Sequence, residues 1–566
     1  MNKGVNEEKM AAQINISFAD GGQMSAKRGT RLQQLLELVE QPPLTPIAAI
    51  VNGDMQELDY PLFADSTVEW IDYNSDVGWR IYRRSLLFVL LNACLELFPE
   101  RRLWVSHSLG EGVFCMLEDD NASQPTAAEI LALKEQMRRY VAEGRAIGRV
   151  DITRDDAIAF FRGEGKPDKA ELLARRDDGY VSLYSFEGGC SEYFFGRMAG
   201  SARCLHDFDL IPFEQGMVLQ LPAREYLGCV DNQHYRPQQL QTVLHETHEW
   251  SELLGVRTVA DLNRLIQNGD FTELVLIAET LQERALHRIV DDIYANFPQV
   301  RLLLLAGPSS SGKTTTTQRL KIQFRTIGIR PLTISMDDYF LDRAATPLNE
   351  RGKKDYETLR ALDLPRFNSD LLRLLGGEEV RLPHYDFISG VRGGESEPVR
   401  LEDDQIIIVE GIHALNEELS QRIDKRRKRK MFVSALTQLN FDAYSPLSAA
   451  DNRLIRRLVR DVRTRDLPAA STLEHWNEVR RGEHINIFPF QEQADYFFNS
   501  SLIYELPVLR PLFETQLQSI DAASPCYLEA KRLLRCIRYF EPAPADVVPR
   551  NSVLQEFLGN SIFSVG

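Results

Sequence analysis

The sequence predicts an α/β chain whose second half is an open parallel sheet between helices, preceded by two smaller α+β modules. Three observations predict it. The apolar run Leu302-Leu303-Leu304-Leu305-Ala306 passes straight into a glycine loop that ends in Lys313-Thr314. Two further strand-like stretches, Pro331-Leu332-Thr333-Ile334-Ser335 and Ile406-Ile407-Ile408-Val409, are each followed by acids. Residues 12–73, far upstream, show instead the short apolar–polar alternation of half-buried strands.

Composition sets the bounds. The 566 residues are enough for about three to four domains of ~150 residues. With 43% hydrophobic and 26% charged residues, the chain has an ordinary globular composition. A net charge of -16 argues against a nucleic-acid partner with a large footprint, although local basic patches are still allowed. The seven cysteines, Cys94, Cys115, Cys190, Cys204, Cys229, Cys526 and Cys536, are too sparse for a disulfide scaffold. The first residues lack an apolar signal core. The most apolar stretch, residues 86–97, is interrupted by Asn92 and Glu96 and is too short to cross a bilayer. A cytoplasmic protein with no membrane partner is expected.

Residues 1–74 are expected to form the first module. Gln13-Ile14-Asn15-Ile16-Ser17-Phe18 alternates as a strand, Asp20-Gly21-Gly22-Gln23 turns, and Thr30 is placed to cap a helix carrying Leu32, Leu35, Leu36 and Val39. Ile47-Ala48-Ala49-Ile50-Val51 before Asn52-Gly53-Asp54 reads as strand and hairpin turn, and Thr67-Val68-Glu69-Trp70-Ile71 as the closing strand. This order resembles the TGS domain, a β-grasp module of threonyl-tRNA synthetases and some GTPases. The resemblance implies a regulatory or ligand-sensing module without chemistry of its own.

Residues 75–230 form a second α+β unit, opening with a helix at Arg80-Ile81-Tyr82-Arg83-Arg84. Coming after a TGS module, it resembles the second domain of threonyl-tRNA synthetases. That family's editing pocket needs an H-x-x-x-H pair on this helix, and here Arg80 and Arg84 stand instead. Cys204 and His206 are too few for a zinc site, and packing is the expected role of Cys190, Cys204 and His206. Residues 231–297 read as a helical connector. Its His245-Glu246-Thr247-His248-Glu249 puts the histidines at i and i+3, off the i, i+4 spacing of a zinc-protease helix, so a solvated helix is expected. Leu274, Ile277, Leu281, Leu286, Ile289 and Ile293 mark an apolar face for packing on the neighbouring C-terminal domain.

Residues 298–541 carry the chemistry. Gly307, Pro308, Ser309, Ser310, Ser311, Gly312, Lys313 and Thr314 fit G-x-x-x-x-G-K-[ST]. Such a loop turns backbone N–H groups into a phosphate-sized concavity, and the helix behind it, starting through Thr315, aims its positive end the same way. Lys313 is placed for the β/γ-phosphates and Thr314 for magnesium. Asp337 and Asp338 lie at the C-terminal end of the second strand, the edge where ligands sit in open α/β sheets. Phosphoryl transfer to a hydroxyl needs a carboxylate there to take the proton. Glu410 ends a Walker-B-like strand and is the second magnesium ligand, with Asp337 a third candidate; His413 reads as packing. Arg453, Arg456, Arg457 and Arg460 recur at i, i+3, i+4 and i+7 of a helix, a spacing that can present charge to a moving phosphoryl group. The run Lys425-Arg426-Arg427-Lys428-Arg429-Lys430 reads as a surface turn.

The loop, Met336-Asp337-Asp338-Tyr339-Phe340, Leu382-Pro383-His384-Tyr385-Asp386-Phe387, Val409-Glu410-Gly411 and Asp451-Asn452-Arg453-Leu454-Ile455-Arg456-Arg457 occur in an order that resembles the uridine kinase/phosphoribulokinase family. The resemblance implies a P-loop kinase that phosphorylates a sugar hydroxyl with ATP and Mg2+. It makes Asp337 the catalytic base and Glu410 the magnesium acid. It places Glu357 on ribose hydroxyls, and Tyr385 and Phe387 beside the base. It puts Arg453, Arg456 and Arg465 in the phosphate clamp and lid. The chain departs from uridine kinases at Gly390, where they carry a pyrimidine-reading histidine.

The expectation is therefore a kinase acting on a nucleoside or similar pentose-bearing small molecule, with Asp337, Lys313, Arg453 and Arg456 catalytic, Asp338, Glu357, Tyr385 and Phe387 on the acceptor, and a C-terminal tail, residues 542–566, docked on the body. The rival class is an ATP-gated regulatory RNA- or tRNA-binding protein. A homo-oligomer is compatible with either.

Overall fold

The computed structural model describes residues 13–39, 46–110, 112–119, 124–222, 238–348, 352, 354–386, 389–437 and 439–563. Contacts divide the chain into two units, residues 1–235 with 440–446, and residues 236–439 with 447–566.

In the first unit a five-stranded sheet runs Gln23–Lys27, Gln13–Phe18, Ser66–Asp72, Pro46–Val51, Asp54–Glu57. Gln13–Phe18 and Ser66–Asp72 are parallel and the other pairs antiparallel. Asn52 (φ 51°) and Gly53 (φ 87°) form the two-residue hairpin turn, where positive φ matches the twist of the strands. Ile14, Ile16, Ala49, Val51 and Val68 pack on Leu32 and Leu35 of the short helix Leu32–Leu36. Thr30 does not cap that helix. The cap is Arg31, whose N–H donates to Gln34 Oε1 at 2.9 Å, while the Thr30 hydroxyl turns back to Lys27 O at 2.7 Å.

The helix Asp76–Leu97 comes next, its first turn closed by Gly78 N–H donating to Ser75 Oγ at 3.0 Å. Residues 85–94 of it are buried on every side, which accounts for the apolar run. Among the described residues no helix is long and apolar enough to cross a membrane. Around it lie a four-stranded sheet (Asp209–Phe213, Gly216–Gln220, Gly112–Glu118, Arg102–Leu109) and a three-stranded one (Ser191–Glu192, Tyr180–Phe186, Ile147–Thr153). Residues 440–446 are held inside this unit. Asn440 Nδ2 donates to Val105 O at 2.7 Å, and Asp442 pairs at 2.8 Å with buried Lys169, which also pairs with buried Glu192. The Cys204 thiol lies 3.3 Å from Ser201 O and is pushed up by burial to about 12, and His206 is exposed beside Asp207.

In the second unit the helices Gln238–Leu254, Val259–Asn268 and Phe271–Ala295 precede the sheet. Residues 231–237 of the expected connector lie outside the described residues. His245 and His248 pair one turn on with Glu249 and Glu252, at 3.4 and 3.9 Å. The sheet holds β1 (Leu302–Ala306), β2 (Arg330–Ser335), β3 (Gln405–Glu410), β4 (Lys428–Ser434) and β5 (Tyr496–Asn499), ordered β2-β3-β1-β4-β5 and parallel throughout. Both faces are covered. Leu302, Leu304, Ile407, Val409 and Phe432 face Phe367, Leu371 and Leu374 of α2 (Leu364–Leu375). Leu303, Leu305, Ile406, Ile408 and Met431 face Leu320 and Phe324 of α1 (Lys313–Thr326) and Leu286, Val290 and Ile293. That is why these strands read as unbroken apolar runs.

The basic run at 425–430 differs from the surface turn expected of it. Only Lys425–Arg427 turn, and Lys428 and Lys430 begin the interior strand β4, both buried. Their ammonium groups bond Glu417 at 2.7 and 2.6 Å and the carbonyls of Ser420 and Leu415 at 2.7 Å each. Both positions pair with β1 and are buried, so their charges are neutralised internally.

Candidate nucleotide and phosphoryl-transfer site

The register Leu305↔Glu410↔Ser335 brings the ends of β1, β3 and β2 to one sheet edge. The glycine loop therefore leaves β1 beside Glu410, and Asp337 comes after β2 on the other side. The loop is tightly seated: a Cβ on Gly307 would lie 2.0 Å from Val433 O, so only glycine fits. Gly312 takes φ 80° to turn into α1. Ser310 Oγ, Ser311 Oγ, Thr316 Oγ1 and Glu410 Oε2 are buried without a hydrogen-bond partner. Unsatisfied groups concentrated at a loop edge are what a polar ligand would satisfy.

Lys313 Nζ donates to Gly307 O at 2.9 Å and Pro308 O at 3.1 Å. Burial lowers its pKa, against the pull of Glu410, Asp337 and Glu556. Thr314 Oγ1 donates to Glu410 Oε1 at 3.3 Å. The Glu410 carboxyl is raised by burial. Asp337 stays open to solvent on the short 3-10 turn Met336–Tyr339, and the protein crowded round its cleft raises its carboxyl, with Asp338 adding and Lys313 opposing. The carboxyl of Glu357 is raised by burial and then by Glu483. The donor set of a hydroxyl and a carboxylate facing each other, with an orphaned carboxylate oxygen, suits a small hard cation.

On the acceptor side, Asp338 Oδ1 accepts from Tyr385 N–H at 3.3 Å and lies 3.1 Å from His384 Nδ1. Tyr385 is buried against Phe340, with ring centroids 5.7 Å apart. Phe387 lies outside the described residues. A Cβ on Gly390 (φ 71°) would fall 2.5 Å from Arg343 Nε, so Arg343 covers that position.

The arginines of α3 (Ala449–Thr464) divide by role. Arg453 reaches the loop, donating to Ser309 O at 3.1 Å, and pairs in bidentate fashion with Glu483 at 2.5 and 2.8 Å. Arg456 differs from the clamp expected of it. It is fully buried, and its guanidinium is consumed by Glu505 (2.6 Å), Ser500 O (2.8 Å), Ser500 Oγ (3.1 Å) and Ser310 O (3.4 Å). It holds the loop's shape rather than a transferring group. Arg465 is turned onto Asp461, at 3.1 Å. Arg457, expected only as one of the regularly spaced arginines of this helix, donates to Ser309 Oγ at 2.8 Å.

Sequence reasoning also missed two carboxylates. Glu483, on α4 (Ala469–Asn486), accepts from Ser309 N–H at 2.9 Å. Glu556, on the one-turn α5 (Gln555–Leu558), accepts from Thr315 Oγ1 at 2.8 Å and Thr315 N–H at 3.4 Å. Neither sits in a motif, and both come from chain distant from the loop, so spacing carried no signal for them.

A phosphoribulokinase/uridine kinase family model matches residues 302–503. A uridine kinase of Deinococcus deserti is 31% identical over 193 residues, 34% of this chain and 83% of that one. The chain belongs to the phosphoribulokinase/uridine kinase family. A uridine kinase of Chloroflexus aurantiacus is 33% identical over 196 residues, 34% of this chain and 84% of its own. The N-terminal region is similar to threonine–tRNA ligases: that of Desulforamulus reducens is 28% identical over 174 residues, 30% of this chain, and only 27% of the ligase is spanned. The chain thus joins a synthetase-like region to a P-loop kinase domain of this family, whose members phosphorylate sugar hydroxyls.

Proposed function

We propose that the protein is an ATP- and magnesium-dependent kinase that transfers the γ-phosphoryl group to a sugar hydroxyl of a small molecule, foremost the 5′-hydroxyl of a nucleoside. The observation that carries this reading is the register Leu305↔Glu410↔Ser335, which gathers the loop, Lys313, Glu410 and Asp337 at one edge. The uridine kinase relatives support the acceptor class.

The loop amides and Lys313 would bind the β- and γ-phosphates. Thr314 and Glu410 would hold magnesium, which would supply positive charge to offset that of the phosphates. Asp337 orients the acceptor hydroxyl and takes its proton as that oxygen bonds to phosphorus and the bond to the ADP oxygen breaks. Arg453 supplies positive charge beside Ser309. Glu357, Asp338 and Tyr385 line the acceptor side, where Arg343 over Gly390 makes the base-facing surface differ from a uridine reader's.

The test is ATP consumption against a panel of nucleosides and pentose phosphates, with Asp337→Asn as control. Turnover that depends on both an acceptor and Asp337 is expected. Turnover that responds to RNA and to no acceptor would instead support an ATP-gated RNA-binding protein.

A further inference from the structure

The nucleotide loop is covered by the protein's own chain. Ser552, Val553, Leu554 and Phe557 are fully buried, and Val553 Cγ1 would lie 2.4 Å from a Cβ on Gly312, in contact with the loop's last glycine. Arg463 Nη1 donates to Phe557 O at 3.2 Å, and the guanidinium of Arg456 lies 5.1 Å from the centroid of the Phe557 ring. These contacts carry Glu556, only 8% exposed, onto Thr315 Oγ1 and N–H.

Those two donors stand in the first turn of α1, directly after Lys313-Thr314. Free N–H groups and the dipole of such a turn attract an anion, and in a loop of this type the anion is a nucleotide phosphate. Here the anion is a carboxylate from the same chain. A phosphate arriving at Thr315 meets donors already engaged and a like charge beside them, which disfavours both staying.

Glu483 provides the comparison. It too sits on a loop amide, but it is 1% exposed and pairs with Arg453 through two bonds of 2.5 and 2.8 Å. The guanidinium facing Glu556 is Arg460, 3.8 Å away. Of the two carboxylates, Glu556 is therefore the one that can leave.

We propose that residues 552–559 are a strap that occupies the nucleotide site in the resting protein, with Glu556 holding a phosphate's donors, so that nucleotide binds only as this carboxylate withdraws. The proposal rests on the reading of the loop as a nucleotide site and adds a self-restraint to it.

The experiment compares wild type with E556Q by calorimetric titration of ADP and of inorganic tripolyphosphate, which lacks base and sugar. Hydrogen exchange of residues 552–559 is followed in the wild type with and without ADP. About tenfold tighter binding of both ligands by E556Q is expected, along with faster exchange of the strap when ADP is added. Unchanged or weaker binding, tightening confined to ADP, or slower exchange with ADP overturns the strap: Glu556 is then a fixed part of the bound site. If neither protein binds either ligand, the nucleotide reading falls with it. The exchange measurement needs no variant, so it decides even where E556Q fails to fold.

Discussion

Asp337 and Lys313 act on each other electrostatically and both have displaced proton affinities, and these displacements fix the sign of their pH behaviour. Asp337 must be ionised to accept a proton. Its carboxyl lies above the ordinary value of 3.8, so the acid limb of the rate profile is expected above the range of a free aspartate. Asp337→Asn should remove about 10²–10⁴ of the rate and that limb with it, while nucleotide binding stays close to wild type. A stopped-flow pH series on both proteins checks this. His413 makes a separate stability prediction. It is 3% exposed, and burial pushes it down to about 4 from 6.5. It is neutral when folded and takes up a proton more readily when unfolded. Its contribution is therefore present above pH 6.5 and is lost as pH falls towards 4, by up to roughly 3 kcal/mol. Urea midpoints of wild type and His413→Gln between pH 7 and 4 should converge on the acid side. Gly307 was recognisable from the motif alone, yet the reason only glycine fits, the Val433 carbonyl, belongs to a strand more than a hundred residues away.

At the scale of the element, α3 shows how one helical pattern serves two purposes. Its arginines share a spacing, but Arg453 lies toward Ser309 and Glu483, whereas Arg456 points into the core at Glu505 and Ser500. Arg456→Ala should strand Glu505 as a buried unpaired charge, at a cost of about 3–5 kcal/mol. The double variant Arg456→Ala/Glu505→Ala should recover part of that loss, because the charge left unpaired goes with it. Thermal melts of the wild type and the two variants measure this directly; a double variant no more stable than Arg456→Ala would place the cost in lost packing instead. Strand β4 carries the same lesson with lysines. A basic run normally signals solvent, but Lys428 and Lys430 pair with β1 in the buried sheet, where Glu417 and main-chain carbonyls neutralise them.

For the whole molecule, the two units carry separate stabilising devices. In the first, Lys169 holds Glu192 and Asp442 in a buried cluster, and Lys169→Ala should destabilise that unit by about 3–5 kcal/mol. In the second, ADP should stabilise by RT ln(1 + [L]/Kd), about 2.7 kcal/mol at a hundredfold excess over Kd. Scanning calorimetry of wild type and Lys169→Ala, each with and without ADP, should therefore show the substitution and the ligand acting on different parts of the heat-absorption profile. A single transition moved equally by both would show that the units unfold together.

Much of this protein was legible in its sequence. The parallel sheet was written in apolar runs that end in glycine or acid, since strands covered on both faces have no polar side to show. The hairpin turn at Asn52-Gly53 and the phosphate loop were readable because local backbone geometry demands particular residues at fixed spacing. Only the tertiary structure decided what each charge does. That Arg456 supports the loop, that Lys428 and Lys430 are interior, and that Glu483 and Glu556 take donors of the loop all depend on partners far away in the chain. The physical reason is that conformation is encoded over a few neighbouring residues, whereas the burial and pairing that set a charge's role are properties of the packed whole.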